Sequence, residues 1–385
     1  MTKHSLMWIA CLFMITTALL AACGGGNANE DLPSFEPSAS GEPTAQPDSN
    51  VAAPTVTTHQ PEVAATSTAM MPTILSPEQL QELKPNELGW IPILQYHHFG
   101  PEPDELTRTP EQFLSDLQWL YDNNFYVVNV GEYINDTMDV PAGKLPVMLT
   151  FDDSAISQFS LAPLPSGQMA IEADSAVAIM ETFFNAHPDF GRGGHFSILP
   201  DRAFSWPDAW DQQQYSGDKL TWLVQNGYEL GNHTLDHANL AELSTDEIHF
   251  QLGEAELYTR DKFIEDARLD IVTLPYGGYP MGGDDTVFKG FYYEGEFFEY
   301  FGVLLVGANP AVSTLSEVYD PYAIPRIQAF DAELDYWFEF IEENPGIMYV
   351  SDGNPDTVTV PNDLPYELSE TLDESKLNGR TLIRY

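Results

Sequence analysis

Basic residues are scarce in this chain. Lys and Arg total 15 against 59 Asp and Glu, which gives a formal net charge of −44 over 385 residues. A nucleic-acid partner is excluded on that ground, because such affinity comes from cations neutralising phosphates. Electrostatic docking on anionic lipid is excluded for the same reason. Cysteine is nearly absent: Cys11 and Cys23 cannot make a disulfide framework. No glycine-rich phosphate loop follows any strand-like segment, no internal repeat appears, and no histidine follows His249. The remaining acidic surface reads as solvation. With 43% hydrophobic residues, the chain still has enough apolar material for a core.

The one long apolar run lies at the start. Lys3 and His4 precede Leu6–Ala22, which is too short and too early for a structural span and has the layout of a secretory signal. Leu20-Ala21-Ala22-Cys23 resembles a bacterial lipoprotein cleavage site. That resemblance implies removal of residues 1–22, acylation of Cys23, and membrane anchoring through lipid with the domain facing the extracellular side or the periplasm. Residues 23–80 follow as an extended tether. Positions 24–80 hold eight prolines, seven acids, the single aromatic Phe35 and no Lys or Arg. Such a segment cannot bury enough apolar surface to offset its chain entropy.

From residue 81 strand-like and helix-like segments alternate. Strands are expected at Ile91–Tyr96, Phe125–Val130, Leu145–Phe151, His195–Leu199, Tyr228–Asn232, Ile271–Leu274 and Gly302–Val306. Thr109-Pro110-Glu111-Gln112 and Ser244-Thr245-Asp246-Glu247 open helices with a hydroxyl cap and a Gln or Glu three residues on. Further helices are expected at Ala176–Ala186 and Leu220–Gln225. Strand–helix alternation over 81–345 predicts a parallel α/β fold of seven or eight units, a barrel rather than an open sheet because no glycine-rich phosphate loop appears. Residues 346–385 turn strand-like, at Ile347–Val350, Thr357–Val360 and near Arg384, and are expected to form a small C-terminal β extension.

Two stretches carry chemistry. Asp152 and Asp153 end an apolar strand, where like charges repel and a cation would relieve them; barrel active sites are built at such strand ends. His233 and His237 follow a later strand end, four residues apart. One carboxylate and two imidazoles form a common ligand set for zinc or a similar ion with an open position.

Together these residues resemble the NodB-homology polysaccharide deacetylases, carbohydrate esterase family four. Thr150-Phe151-Asp152-Asp153 looks like the first family motif, His233-Thr234-Leu235-Asp236-His237 like the second and Leu274-Pro275-Tyr276-Gly277 like the third. The resemblance runs from about Pro92 to Arg326. It implies a distorted (β/α) barrel of about seven parallel strands and metal-dependent removal of N-acetyl groups from an N-acetylhexosamine polysaccharide. Asp153, His233 and His237 would hold one divalent metal, most naturally Zn²⁺, with Co²⁺ or Ni²⁺ as alternatives. Asp152 would be the general base, and the Tyr276 N–H, in the turn after Pro275, would face the oxyanion. Tyr96-His97-His98 is similar to the branch acting on exopolysaccharide poly-N-acetylglucosamine, which implies His97, or else His98, as the general acid.

Two positions depart from the family pattern. Ser154 stands where a Gly usually follows the acid pair, and Thr273 stands where many members carry an Arg that orients the base. A catalytically degenerate glycan-binding envelope lipoprotein, and a deacetylase of another acylated glycan such as peptidoglycan, are the alternatives. Residues 154–171 form a long segment expected at the mouth of the site. His187, His195 and His249 read as structural. Trp206, Trp210 and Trp222 are candidates for stacking on sugars, with core packing the better expectation for Trp222.

Overall fold

The computed structural model describes residues 74–207, 209–368 and 371–385. The apolar leader, Cys23 and residues 23–73 of the tether lie outside the described residues. The first described element corrects the tether's boundary. Ser76 caps helix α1 (Pro77–Leu83), and Gln79 closes the reciprocal capping box, so folded structure starts before residue 80. Among the described residues, no helix is long and apolar enough to cross a membrane.

Eight strands form the central sheet: β1 (Ile93–Tyr96), β2 (Phe125–Val127), β3 (Leu145–Phe151), β4 (His195–Ile198), β5 (Glu229–Asn232), β6 (Ile271–Thr273), β7 (Gly302–Leu304) and β8 (Ile327–Gln328). Seven run side by side in the order β7-β6-β5-β4-β3-β1-β8, and all are parallel. The remaining strand, β2, pairs in parallel with the first residues of β3. This is the parallel α/β arrangement that the alternation predicts, in the form of the distorted (β/α) barrel that the resemblance implies. Its β3 has all but the first residue buried, as a parallel strand covered on both faces requires.

Residues 324–328 link the two ends of the sheet. The Ile324 N–H donates to Val303 O, and Leu305 N–H donates to Ile324 O. Three residues later, Ile327 and Gln328 pair with Leu94 and Gln95 of β1. The intervening Arg326 is therefore held by backbone bonds on both sides. Gly307 makes room for this segment: a Cβ there would lie 1.3 Å from the Arg326 carbonyl oxygen.

Helices α2 (Pro110–Asp122), α4 (Ala176–Ala186), α5 (Ser216–Gln225) and α6 (Thr245–Lys262) cover the sheet, along with the short α3 (Val130–Ile134) and the later α7 (Asp331–Glu343). Thr109 and Ser244 cap α2 and α6 as expected, each with a reciprocal Gln112 or Glu247. Tyr96, Phe99, Phe113, Phe151 and Phe196 pack as a buried aromatic cluster under the end of β3, with ring centroids 4.7–6.2 Å apart. Between β6 and β7 there is an antiparallel hairpin, Phe291–Tyr293 with Glu296–Phe298, in place of a covering helix.

The C-terminal region differs in part from expectation. Residues 347–350 are not a strand: Pro345–Ile347 is a tight helical turn, and Met348 and Val350 make single bridges to Trp90 and Asn86. Pro345 and Gly346 favour a turn over an extended start. Thr357–Val360 and Thr381–Arg384 do pair, in parallel. Buried Glu87 ties this extension to the start of the fold, accepting from the Thr359 N–H at 2.8 Å and the Asp352 N–H at 3.3 Å. Helix α1 lies beside the N-terminal strand ends, where the Leu83 side chain fills the space next to Gly143, just before β3.

Candidate active site

The C-terminal ends of β1, β3, β5 and β6 converge on a cavity of about 210 Å³. Gln95, His97, Asp152, Asp153, His233, His237 and Tyr276 line it, with Leu106, Leu274, Val306 and Gln328. A larger cavity of about 400 Å³, bordered by Gly131, Glu229, Ile271 and Phe301, opens at the opposite strand ends. The only cluster of possible metal ligands among the described residues lies in the smaller cavity.

That cluster is Asp153, His233 and His237, whose ligand atoms lie within 4.8 Å of one another. Asp153 Oδ1 is 3.2 Å from the Nε2 of both His233 and His237. The other nitrogen of His233, Nδ1, lies 2.9 Å from the Thr273 carbonyl, which can only accept. The Thr273 carbonyl thereby holds a proton on Nδ1, which leaves Nε2, the nitrogen toward Asp153, as the one a metal ion would take. Left-handed backbone at Asp153 (φ 71°) and His237 (φ 59°) turns both side chains back over the strand ends. One carboxylate and two imidazoles with a solvent-facing side fit a divalent ion of the zinc type. Burial alone would raise the Asp153 pKa, but hydrogen bonds from His233 and His237 outweigh it and hold the carboxyl far below its ordinary range. Burial would likewise depress His233, and the Asp153 contact raises it instead.

Asp152 sits one residue earlier with a different set of partners. Arg326 donates from Nη1 to Oδ1 and from Nη2 to Oδ2, both at 2.8 Å. Gln95 Nε2 donates to Oδ2 at 3.0 Å. Both carboxylate and guanidinium are buried. Desolvation pushes the Asp152 pKa up, but the Arg326 charge and hydrogen bonds outweigh it and hold the carboxyl at about 2. Asp152 therefore stays an anion across the physiological range, fixed in one orientation. Arg326 supplies the guanidinium that Thr273 does not: the Thr273 hydroxyl instead meets Ser197 Oγ at 2.5 Å.

The two candidate acids separate by position. His97 Nε2 lies 3.8 Å from Asp152 Oδ2, and its ring borders the cavity. Burial lowers its pKa, against the raising pull of Asp152 and Asp153. His98 Nε2 lies 3.8 Å from Asp153 Oδ2, outside the cavity lining, with its ring 5.5 Å from Trp206. Tyr276 borders the cavity with left-handed backbone (φ 58°), after the buried Pro275, and its ring stands 4.5 Å from His237.

Ser154, the residue in place of Gly, also has left-handed backbone (φ 45°). Its hydroxyl accepts from the Leu199 N–H at 3.0 Å, so the side chain fastens the acid pair to the end of β4. The 154–171 segment folds as a tight turn, Ile156–Gln158, and a hairpin, Leu161–Pro163 with Met169–Ile171. Gln158 Nε2 donates to both the His97 carbonyl (2.7 Å) and the Asp152 carbonyl (2.5 Å), joining the two strand ends beneath the site.

The histidines read as structural are outside the cavity lining. His187 packs between Tyr121 and Phe183, and His249 stacks on Phe291. His195 is fully buried beside Glu229. Trp222 packs on Phe159 and Tyr228. The Trp210 side chain lies outside the described residues. Asp236 accepts from Gln251 Nε2 at 3.0 Å, which pins the loop between His233 and His237 to α6.

Sequence reasoning missed Gln95, Gln158 and Arg326. One signal for the last was available: Arg326 is the only basic residue between Lys289 and Lys376.

Residues 179–285 match the polysaccharide deacetylase family. The matched stretch takes in His233, His237 and Tyr276, and leaves out Asp152, Asp153, His97 and Arg326. No curated protein matches the chain in sequence. Solved structures similar to it include the Streptococcus pyogenes deacetylase PplD in complex with acetate (18% identity, TM-score 0.47, covering 63% of this chain and 93% of that one). A polysaccharide deacetylase from Bacillus cereus (14%, TM-score 0.47, 65% and 69%) and IcaB from Ammonifex degensii (13%, TM-score 0.46, 66% and 97%) are also similar.

Proposed function

We propose that this protein is a metal-dependent deacetylase that hydrolyses N-acetyl groups of an N-acetylhexosamine polysaccharide at the cell surface. The observation that carries this reading is the placement of a fixed carboxylate, Asp152, one residue from the Asp153–His233–His237 cluster in one cavity. A divalent ion held by those three residues would lower the pKa of water toward neutrality and polarise the acetyl carbonyl. Asp152 takes the proton from the attacking water. Arg326 and Gln95 keep its oxygens oriented while it does so. The Tyr276 N–H faces the developing oxyanion. His97, beside Asp152 at the cavity wall, gives a proton to the departing amine.

Anchoring through lipid on Cys23 belongs to the same proposal. It is supported by the apolar run Leu6–Ala22 ending at Leu20-Ala21-Ala22-Cys23. The degenerate-binder alternative rested on the missing guanidinium at Thr273, and the Arg326–Asp152 pair takes away that ground.

The test is acetate release from N-acetylglucosamine oligomers of several lengths by the zinc-loaded chain. Asp152→Asn, His97→Ala and His98→Ala are measured alongside. Release lost in Asp152→Asn and in His97→Ala, but kept in His98→Ala, supports the roles given. No release from any oligomer with stoichiometric metal bound would sink the substrate assignment.

A further inference from the structure

The two oxygens of Asp153 face different neighbours. Oδ1 lies 3.2 Å from the Nε2 of both His233 and His237, so it is the oxygen turned toward the metal position. Among the described residues no hydrogen bond ends on Oδ2, and the ion-pair partner that reaches it is His98, whose Nε2 stands 3.8 Å away. Adjacent histidines thus serve adjacent carboxylates: His97 faces Asp152, and His98 faces Asp153. A carboxylate only accepts, so the facing nitrogen of His98 carries the proton. A movement of about 1 Å turns the contact into a hydrogen bond of ordinary length. His98 is held for this by its surroundings. Its backbone N–H donates to Leu106 O at 2.8 Å, the Phe99 N–H donates to Ser157 Oγ at 3.0 Å, and its ring packs on Trp206.

We propose that His98 is a positioning residue of the metal site, its Nε2–H holding Asp153 Oδ2 so that Asp153 offers the ion one oxygen only. This rests on the metal-site reading above and deepens it. Ligating carboxylates are themselves hydrogen-bonded, and the partner sets their orientation. A catalytic zinc-type site has three protein ligands and keeps a position open for water or substrate. Unheld, the Asp153 carboxylate could swing Oδ2 onto the ion and fill that position, or turn away from it. His98 lies outside the cavity lining, so it acts through Asp153 and does not touch substrate.

The test is the zinc affinity of the full chain, read by competition with a chromophoric chelator. Affinity is read and not turnover, because excess zinc fills a weakened site. Two variants separate a donor from a packing group. His98→Phe keeps a ring against Trp206 and has no N–H to give; His98→Leu serves if the Phe variant fails to fold. His98→Gln loses the ring and keeps an amide N–H near the position of Nε2. The Phe variant is expected to bind zinc on the order of 10- to 100-fold more weakly, the usual effect of removing such a partner. The Gln variant is expected to stay within about threefold of wild type. A folded Phe or Leu variant with wild-type affinity overturns the assignment, and so does a Gln variant as weak as the Phe one. Either result, with zinc bound by the wild type, leaves the metal-site reading standing. A wild-type chain that binds no zinc overturns both.

Discussion

Arg326 holds both carboxylate oxygens of Asp152 at 2.8 Å, across 174 residues of chain, with neither side chain open to solvent. The pair couples the fold's closing segment to its chemistry. Residues 324–328, bridging β7 and β1, bring Arg326 to Asp152, and Arg326 is the chief group that keeps Asp152 ionised in a buried place.

Removing the guanidinium is therefore expected to damage stability and activity together. Arg326→Met leaves an uncompensated buried carboxylate, at a cost of about 3–5 kcal/mol. The Asp152 pKa then rises from about 2, as burial dictates, and the base is lost as an anion. Denaturant melts and kcat should both fall, kcat on the order of 10²-fold. Arg326→Lys restores charge without the two-pronged grip and should recover only part of each. An Arg326→Met enzyme with unchanged kcat would show that Asp152 is not the base.

Metal affinity is expected to rest on the three clustered side chains. His237 has left-handed backbone, which Asn tolerates better than Ala. His237→Asn should keep the fold and weaken zinc binding at least 10²-fold, read by competition with a chromophoric chelator. Asp152→Asn should leave zinc affinity within a few-fold. Equal loss in both variants would contradict the separation of ligand and base.

Stability should depend on pH through Glu87. Burial, and then the nearby Asp352 charge, raise its pKa from 4.5 to about 8. Unfolded, Glu87 releases its proton near 4.5; folded, it keeps it until about 8. The unfolded state binds fewer protons in that window, so this group's stabilisation is full below pH 4.5 and is lost as pH rises toward 8. The slope is on the order of 1.4 kcal/mol per pH unit. Glu87→Gln should flatten the dependence of Tm on pH between about 5 and 7 relative to wild type. Parallel Tm curves for the two proteins would mean that Glu87 is ionised in the fold.

Cys23 gives a prediction independent of the barrel. Cys23→Ser should move the protein from the detergent-soluble membrane fraction to the aqueous fraction, with acetate release per molecule unchanged. Retention of the variant in membranes would point to an uncleaved leader as the anchor.

The barrel was legible because β3 is apolar but for Thr150 and buried after its first residue, and the helix caps at Thr109 and Ser244 follow local rules. The grouping of Asp153, His233 and His237 was legible because each sits within five residues of a strand's end. Arg326 was not, because its partner lies 174 residues away and its segment has no regular period. Gln95 was hidden for another reason: it is a polar residue inside an otherwise buried strand, Ile93–Tyr96, and only the three-dimensional pairing gives its amide nitrogen a partner and leaves its oxygen without one. The expected strand at 347–350 failed because apolar composition there serves packing beneath a turn at Pro345–Ile347 rather than a ladder.

Helix α1 joins the barrel at the strand ends opposite the catalytic cavity. The chain therefore enters the fold at one end of the barrel and carries its candidate chemistry at the other, so a change at Leu83 or Gly143 acts on the fold without touching the cavity.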